Sequence, residues 1–107
     1  MKFDENAINL INSLCKRYLN PALVIFNAEV TGWWGKEHHI KIKVMQNPKR
    51  ITDRTNVLSN LEYVELNFKE LSCPVLVQKE LEKDISNFYI STYKIGIFTY
   101  LKLEIII

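Results

Sequence analysis

Glycine, proline, cysteine and histidine are all scarce in this sequence of 107 residues, with three, three, two and two copies respectively. Glycine occurs only as Gly32, Gly35 and Gly96, so neither a GxxxxGK nor a GxGxxG loop can be written, and a glycine-rich phosphate cradle is excluded. His38 and His39 are adjacent, and neighbours on a strand point to opposite faces, so the two cannot share one ion. No third histidine completes a set. Cys15 and Cys73 have no CxxC spacing and none of the density of a disulfide scaffold. They read as two ordinary thiols in a reducing compartment, and neither a metal nor a cofactor is expected.

A strong charge of either sign is also missing. Fourteen basic residues against twelve acidic ones leave a net charge of +2, far from the balance of a dedicated nucleic-acid binder. The charge is uneven along the chain: residues 1–54 carry nine basic and five acidic side chains, and residues 55–107 carry five and seven. Glu62, Glu65, Glu70, Glu80, Glu82 and Asp84 fall in that second half against Lys69, Lys79 and Lys83, and define a candidate acidic region. The longest apolar run, Ile95 to Ile107, is interrupted by Gly96, Thr99, Lys102 and Glu104 and is too short to cross a bilayer as a helix. The opening Met1-Lys2-Phe3-Asp4-Glu5-Asn6 places charged and amide residues where a signal peptide needs an apolar stretch, so a cytoplasmic protein is expected.

What is present is the makings of one core. A 48% hydrophobic and 24% charged chain of this length fits a single globular domain spanning residues 1–107. Phe3, Ala7, Ile11, Leu14 and Tyr18 recur every three or four residues, the stripe of an amphipathic helix that Asp4 can cap and Pro21 stops. The period then becomes two. Val24, Phe26, Ala28 and Val30 alternate with Asn27 and Glu29, and His38, Ile40, Ile42 and Val44 alternate with Glu37, His39, Lys41 and Lys43. Between these runs, Gly32-Trp33-Trp34-Gly35 predicts a hairpin connection. Pro48 to Asn60 has no period and reads as a long surface loop; Val64, Leu66 and Phe68 mark the inward side of a third strand. Val77, Leu81, Ile85 and Phe88 fit a short helix at Gln78 to Asn87, although Ile85 to Tyr93 also alternates as a strand would, and the alternating run from Ile95 reads as a long strand covered on both sides. The expected fold class is α+β: an N-terminal helix packed on a mainly antiparallel sheet of about four to six strands.

No nucleophile in this chain has a base and an orienting group beside it in a recognisable motif, and the carboxylates fall on positions of solvated faces, so a non-enzyme is expected. Trp33 and Trp34 stand out because tryptophan is costly to expose and enriched at binding hot spots. Alternation would send their rings opposite ways, one to the core and one outward as an anchor. Lys49, Arg50 and Arg54 in the loop, with Tyr63, Tyr93 and Tyr100 as stacking surfaces, supply the parts of a single-strand binder without its motif.

The layout of a short helix, a strand carrying Ala28-Glu29-Val30, a hairpin return, then Leu61-Glu62-Tyr63-Val64-Glu65-Leu66-Asn67-Phe68 and two late alternating runs resembles the small immunity proteins that bacteria encode beside polymorphic or contact-dependent growth-inhibition toxins. The resemblance implies inhibition by binding: a non-catalytic protein that neutralises a cognate toxin by covering its active site. The residues read as partner-binding are Trp33, Trp34, Glu65, Glu80 and Glu82, aromatic anchor and complementary charge together. The alternative is a small nucleic-acid-associated or phage-derived regulatory protein.

Overall fold

Asp4 sets the start of helix α1 (Glu5–Cys15): its carboxylate accepts a 2.7 Å hydrogen bond from the Ala7 amide, one of the donors a helix start leaves unpaired. Ala7, Ile11 and Cys15 form the buried stripe of that helix. In the computed structural model, which describes residues 1–51 and 56–107, α1 ends at Cys15, six positions before the proline expected to stop it. The amides of Lys16, Arg17 and Tyr18 turn to carbonyls three residues back, and Asn20 then takes a positive φ of 49°. Asparagine tolerates that left-handed conformation, which reverses the chain so that Pro21 opens a strand instead of merely following a helix. Phe3, expected at the head of the helical stripe, belongs instead to strand β1 (Lys2–Phe3), and Tyr18 lies beyond the helix and is exposed.

Six further strands follow: β2 (Pro21–Gly32), β3 (Gly35–Gln46), β4 (Tyr63–Leu66), β5 (Val75–Gln78), β6 (Phe88–Ile95) and β7 (Phe98–Ile105). The α+β class holds, with the strands divided between two sheets of order β1-β6-β7 and β3-β2-β5-β4. The β2–β3, β4–β5 and β6–β7 pairs are antiparallel, and β1–β6 and β2–β5 are parallel.

Two elements differ from expectation for identifiable reasons. Val75, Leu76 and Val77 are all fully buried, because β5 lies between β2 and β4 with both its faces covered, and a strand apolar on both faces shows no alternation. The chain continues from β5 into a helix of the 3-10 type at Lys79–Asn87, one residue short of the helix expected at Gln78 to Asn87. At the C-terminal end, Ile95 pairs with Phe98 across Gly96 (φ +62°) and Ile97, so the run read as one long covered strand is the end of β6 plus an edge strand, β7. The second face of that hairpin is open, with Phe98 and Tyr100 exposed.

The main core lies where α1, the inner face of the four-stranded sheet and the inner face of the three-stranded sheet meet: Ile11, Leu23, Ile25, Val75, Phe88 and Ile90 are among its buried members. Each such side chain contributes about 1.5–3 kcal/mol by leaving water, whereas all four ion pairs among the described residues are solvent-exposed and weak. Packing therefore holds the two sheets together. The opposite face of the four-stranded sheet carries a smaller cluster, Ala22, Val24 and Leu76, flanked by Phe26, Met45 and Tyr63.

Candidate protein-binding surface

Cross-strand partners share a face of a sheet, so the β2–β3 register shows where each alternating stripe goes. Leu23, Ile25, Ile40, Ile42 and Val44 fall on the core face, with Asn27, Glu29, His38 and Lys36 further out along it. Val24, Phe26, Ala28 and Val30 fall on the other face, opposite Lys43, Lys41, His39 and Glu37. The apolar stripes of the two strands thus lie on opposite sides of the hairpin. Only Leu23 to Ile25 of β2 pair with β5, and the Asn27 amide is closed off by the Gln78 Oε1 at 2.8 Å. Beyond that point the hairpin continues as a two-stranded ribbon with no third strand beside β2 among the described residues.

At the ribbon's tip, Gly32 pairs with Gly35 and the two tryptophans form the connection between them. Gly35 supplies the positive φ (+116°) of the turn. The Trp34 ring folds back over Gly32, so closely that a Cβ there would lie 2.5 Å from it. Trp33 meets that ring edge to face, centroids 5.8 Å apart, and is 95% exposed; Trp34 is 54% exposed. The expectation that one ring enters the core is corrected: both residues sit in a turn, where strand alternation does not apply, and both stay outside. On the stripe face, Phe26, Ala28, Val30 and the Trp34 ring over Gly32 make an apolar track from the sheet to the tip. At its root, Phe26 and Ala28 with Val57, Leu58 and Leu61 line a groove of about 470 Å³.

The acidic candidates do not gather into one patch. β5 runs parallel to β2, so the 3-10 helix after it, carrying exposed Glu80 and Glu82, begins at the end of the sheet from which the ribbon emerges. Glu65 pairs with Leu76 on the face of the smaller cluster and borders a shallow cavity with Asn20, Asn47 and Arg50, toward the opposite end. None of the three has an ion pair among the described residues, whereas Glu62 lies 3.8 Å from Lys79.

The other residues singled out by sequence are dispersed. His38 and His39 take opposite faces as expected, but both are exposed, because the core ends at Ile40; His39 Nε2 is 3.0 Å from Glu37 Oε2. Among the described residues no cluster of three His, Cys, Asp or Glu could hold a metal ion. Tyr63 is half-buried beside the smaller cluster: its hydroxyl donates a 2.6 Å hydrogen bond to the Leu58 carbonyl, and burial pushes the phenol pKa up to about 12. Tyr93 and Tyr100 stack on each other, centroids 5.4 Å apart, with Phe98 beside Tyr100, forming a second exposed aromatic patch on the β6–β7 hairpin. Lys49 and Arg50 lie in or beside a 3-10 turn at Pro48–Arg50, and Arg54 lies outside the described residues. No helix of the described residues is long and apolar enough to cross a membrane. Compared with known proteins, the chain matches no family model and no curated relative.

Proposed function

We propose that this chain is a non-catalytic binding protein of the immunity kind, acting in the cytoplasm by docking onto a cognate toxin and covering its active surface. The observation that carries the reading is the ribbon tip: two tryptophans held out of the core by a two-residue turn, one of them 95% exposed and braced by the other. A soluble surface gains nothing from an exposed indole pair, and a partner that covers it gains both the apolar area and the low conformational entropy of rings already in contact. The track of Phe26, Ala28 and Val30 behind the tip extends the same surface, and beyond Asn27 the edge of β2 has no strand beside it among the described residues, which leaves room for an added strand. The resemblance in layout to small bacterial immunity proteins supplies the class of partner.

The test is co-expression with the product of the adjacent reading frame. That product alone should arrest growth, the intact chain should restore it, and a Trp33→Ala/Trp34→Ala double variant that remains folded should bind at least about thirtyfold more weakly, the scale of a hot-spot loss. Full protection by the double variant would sink the reading.

A further inference from the structure

Cys15 and Cys73, separated by 58 positions in the sequence and read there as unrelated thiols, are brought together by the fold. Both are buried, at 5% and 6% exposure, in the same core cluster, and both are free thiols. The Cys15 thiol is a close neighbour of the Cys73 thiol and, after burial, helps hold it in its protonated form. An independent set of contacts aligns the two segments. Asn12, one helical turn before Cys15, donates through its side-chain amide to the Glu70 carbonyl at 2.9 Å and accepts from the Ser72 amide and hydroxyl at 2.8 and 3.1 Å. The last turn of α1 is thus clamped against residues 70–72, and the next residue of that segment is Cys73. Pairing is a property of the fold, because nothing in the local sequence of either cysteine points to the other.

We propose that Cys15 and Cys73 are a latent disulfide site, a cross-link that the native fold favours and that joins the end of α1 to the start of β5 when the chain folds in the presence of a low-molecular-weight disulfide such as oxidised glutathione. One cysteine thiolate attacks a sulfur of glutathione disulfide, forming a mixed disulfide and releasing one glutathione thiolate. The second cysteine thiolate then attacks the protein sulfur of that mixed disulfide, forming the Cys15–Cys73 bond and releasing the second glutathione. Two cysteine thiols are oxidised, one glutathione disulfide is reduced to two thiols, and the two cysteine protons end on the glutathiones. Burial, which pushes the Cys73 thiol up to about 12, suppresses the thiolate in the finished fold, so exchange belongs to the folding chain and the closed bond is then shielded.

Since the chain holds only two cysteines, oxidation in a denatured state can also join them, and formation alone does not test the proposal. The discriminating measurement is the equilibrium constant of the cross-link against a reduced and oxidised glutathione buffer, read by alkylation and intact mass, in native buffer and in denaturing urea. A bond that fits the fold is favoured in native buffer by at least about thirtyfold over urea, and its closure raises the melting temperature by on the order of 10 °C, reversed by reductant. The Cys15→Ser variant removes both effects. A ratio near or below one, or an oxidised protein that melts at or below the reduced one, overturns the proposal.

Discussion

Gly32 illustrates how much one missing Cβ can decide. Its backbone φ is not in the left-handed region, so alanine is conformationally allowed there, yet the added methyl would occupy the place of the Trp34 ring. The ring is the far end of a half-exposed side chain and can swing away at little cost. Gly32→Ala should therefore change the near-ultraviolet circular dichroism of the Trp33–Trp34 pair while moving the melting temperature by no more than about 3 °C. An unchanged aromatic spectrum would show that the ring does not lie over Gly32. Two ionisable groups, the half-buried Tyr63 and the buried Cys73, set a second expectation. Tyr63 and Cys73 both carry pKa values raised to about 12, above the ordinary 10.0 and 9.0, so above those ordinary values the unfolded chain loses protons that the folded chain keeps. Stability from these groups is complete below pH 9 and falls as the pH climbs toward 12. Urea unfolding across that range should show the decline, and it should be shallower in Cys73→Ser and in Tyr63→Phe than in the parent.

At the level of elements, the helix start was legible and the helix end was not, for a physical reason. Asp4 works locally, through one bond to the Ala7 amide, and a local interaction is visible in sequence. Because its own amide bonds the Ile90 carbonyl at 2.9 Å, Asp4→Ala leaves the β1–β6 attachment intact and removes only the cap. The expected loss is about 1 kcal/mol, a drop of roughly 4–8 °C in melting temperature with no change in the spectrum of the folded state. A larger drop would mean that the carboxylate does more than cap. The helix end depends instead on the reversal at Asn20, and β5 on burial from both sides, which are properties of the assembled fold. The β2–β3 hairpin was legible from Gly32, Gly35 and clean alternation, and so was the parity of its two strands; at the β6–β7 turn the expected parity breaks, because Ile95 shares a face with Phe98. That the two apolar stripes of β2 and β3 lie on opposite faces was not legible, because it follows from the cross-strand register. The exposure of both tryptophans and the meeting of the cysteines were hidden for the same reason: turn geometry and tertiary contact decide them.

For the molecule as a whole, the sheet order assigns different roles to acids that the sequence grouped together. With β5 parallel to β2, the chain leaves β5 at the ribbon end of the sheet, and exposed Glu80 and Glu82 follow there without ion-pair partners among the described residues. Glu65 sits further back, beside Arg50 in the cavity near Asn20 and Asn47. If a partner seats on the tryptophan tip, Glu80 and Glu82 contribute to the field it meets on approach, while Glu65 is turned toward another region of the surface. Long-range charge acts mainly on the association rate, and screening removes it beyond about 10 Å at 0.1 M salt. On the binding model, Glu80→Lys/Glu82→Lys should slow association with a basic partner by about three- to tenfold at low ionic strength and much less at 0.5 M salt, leaving dissociation nearly unchanged. Glu65→Lys should leave both rates near those of the parent. Stopped-flow association across a salt series separates the cases: equal slowing by Glu65→Lys, or none by the double variant, would place the approaching partner somewhere other than the ribbon end.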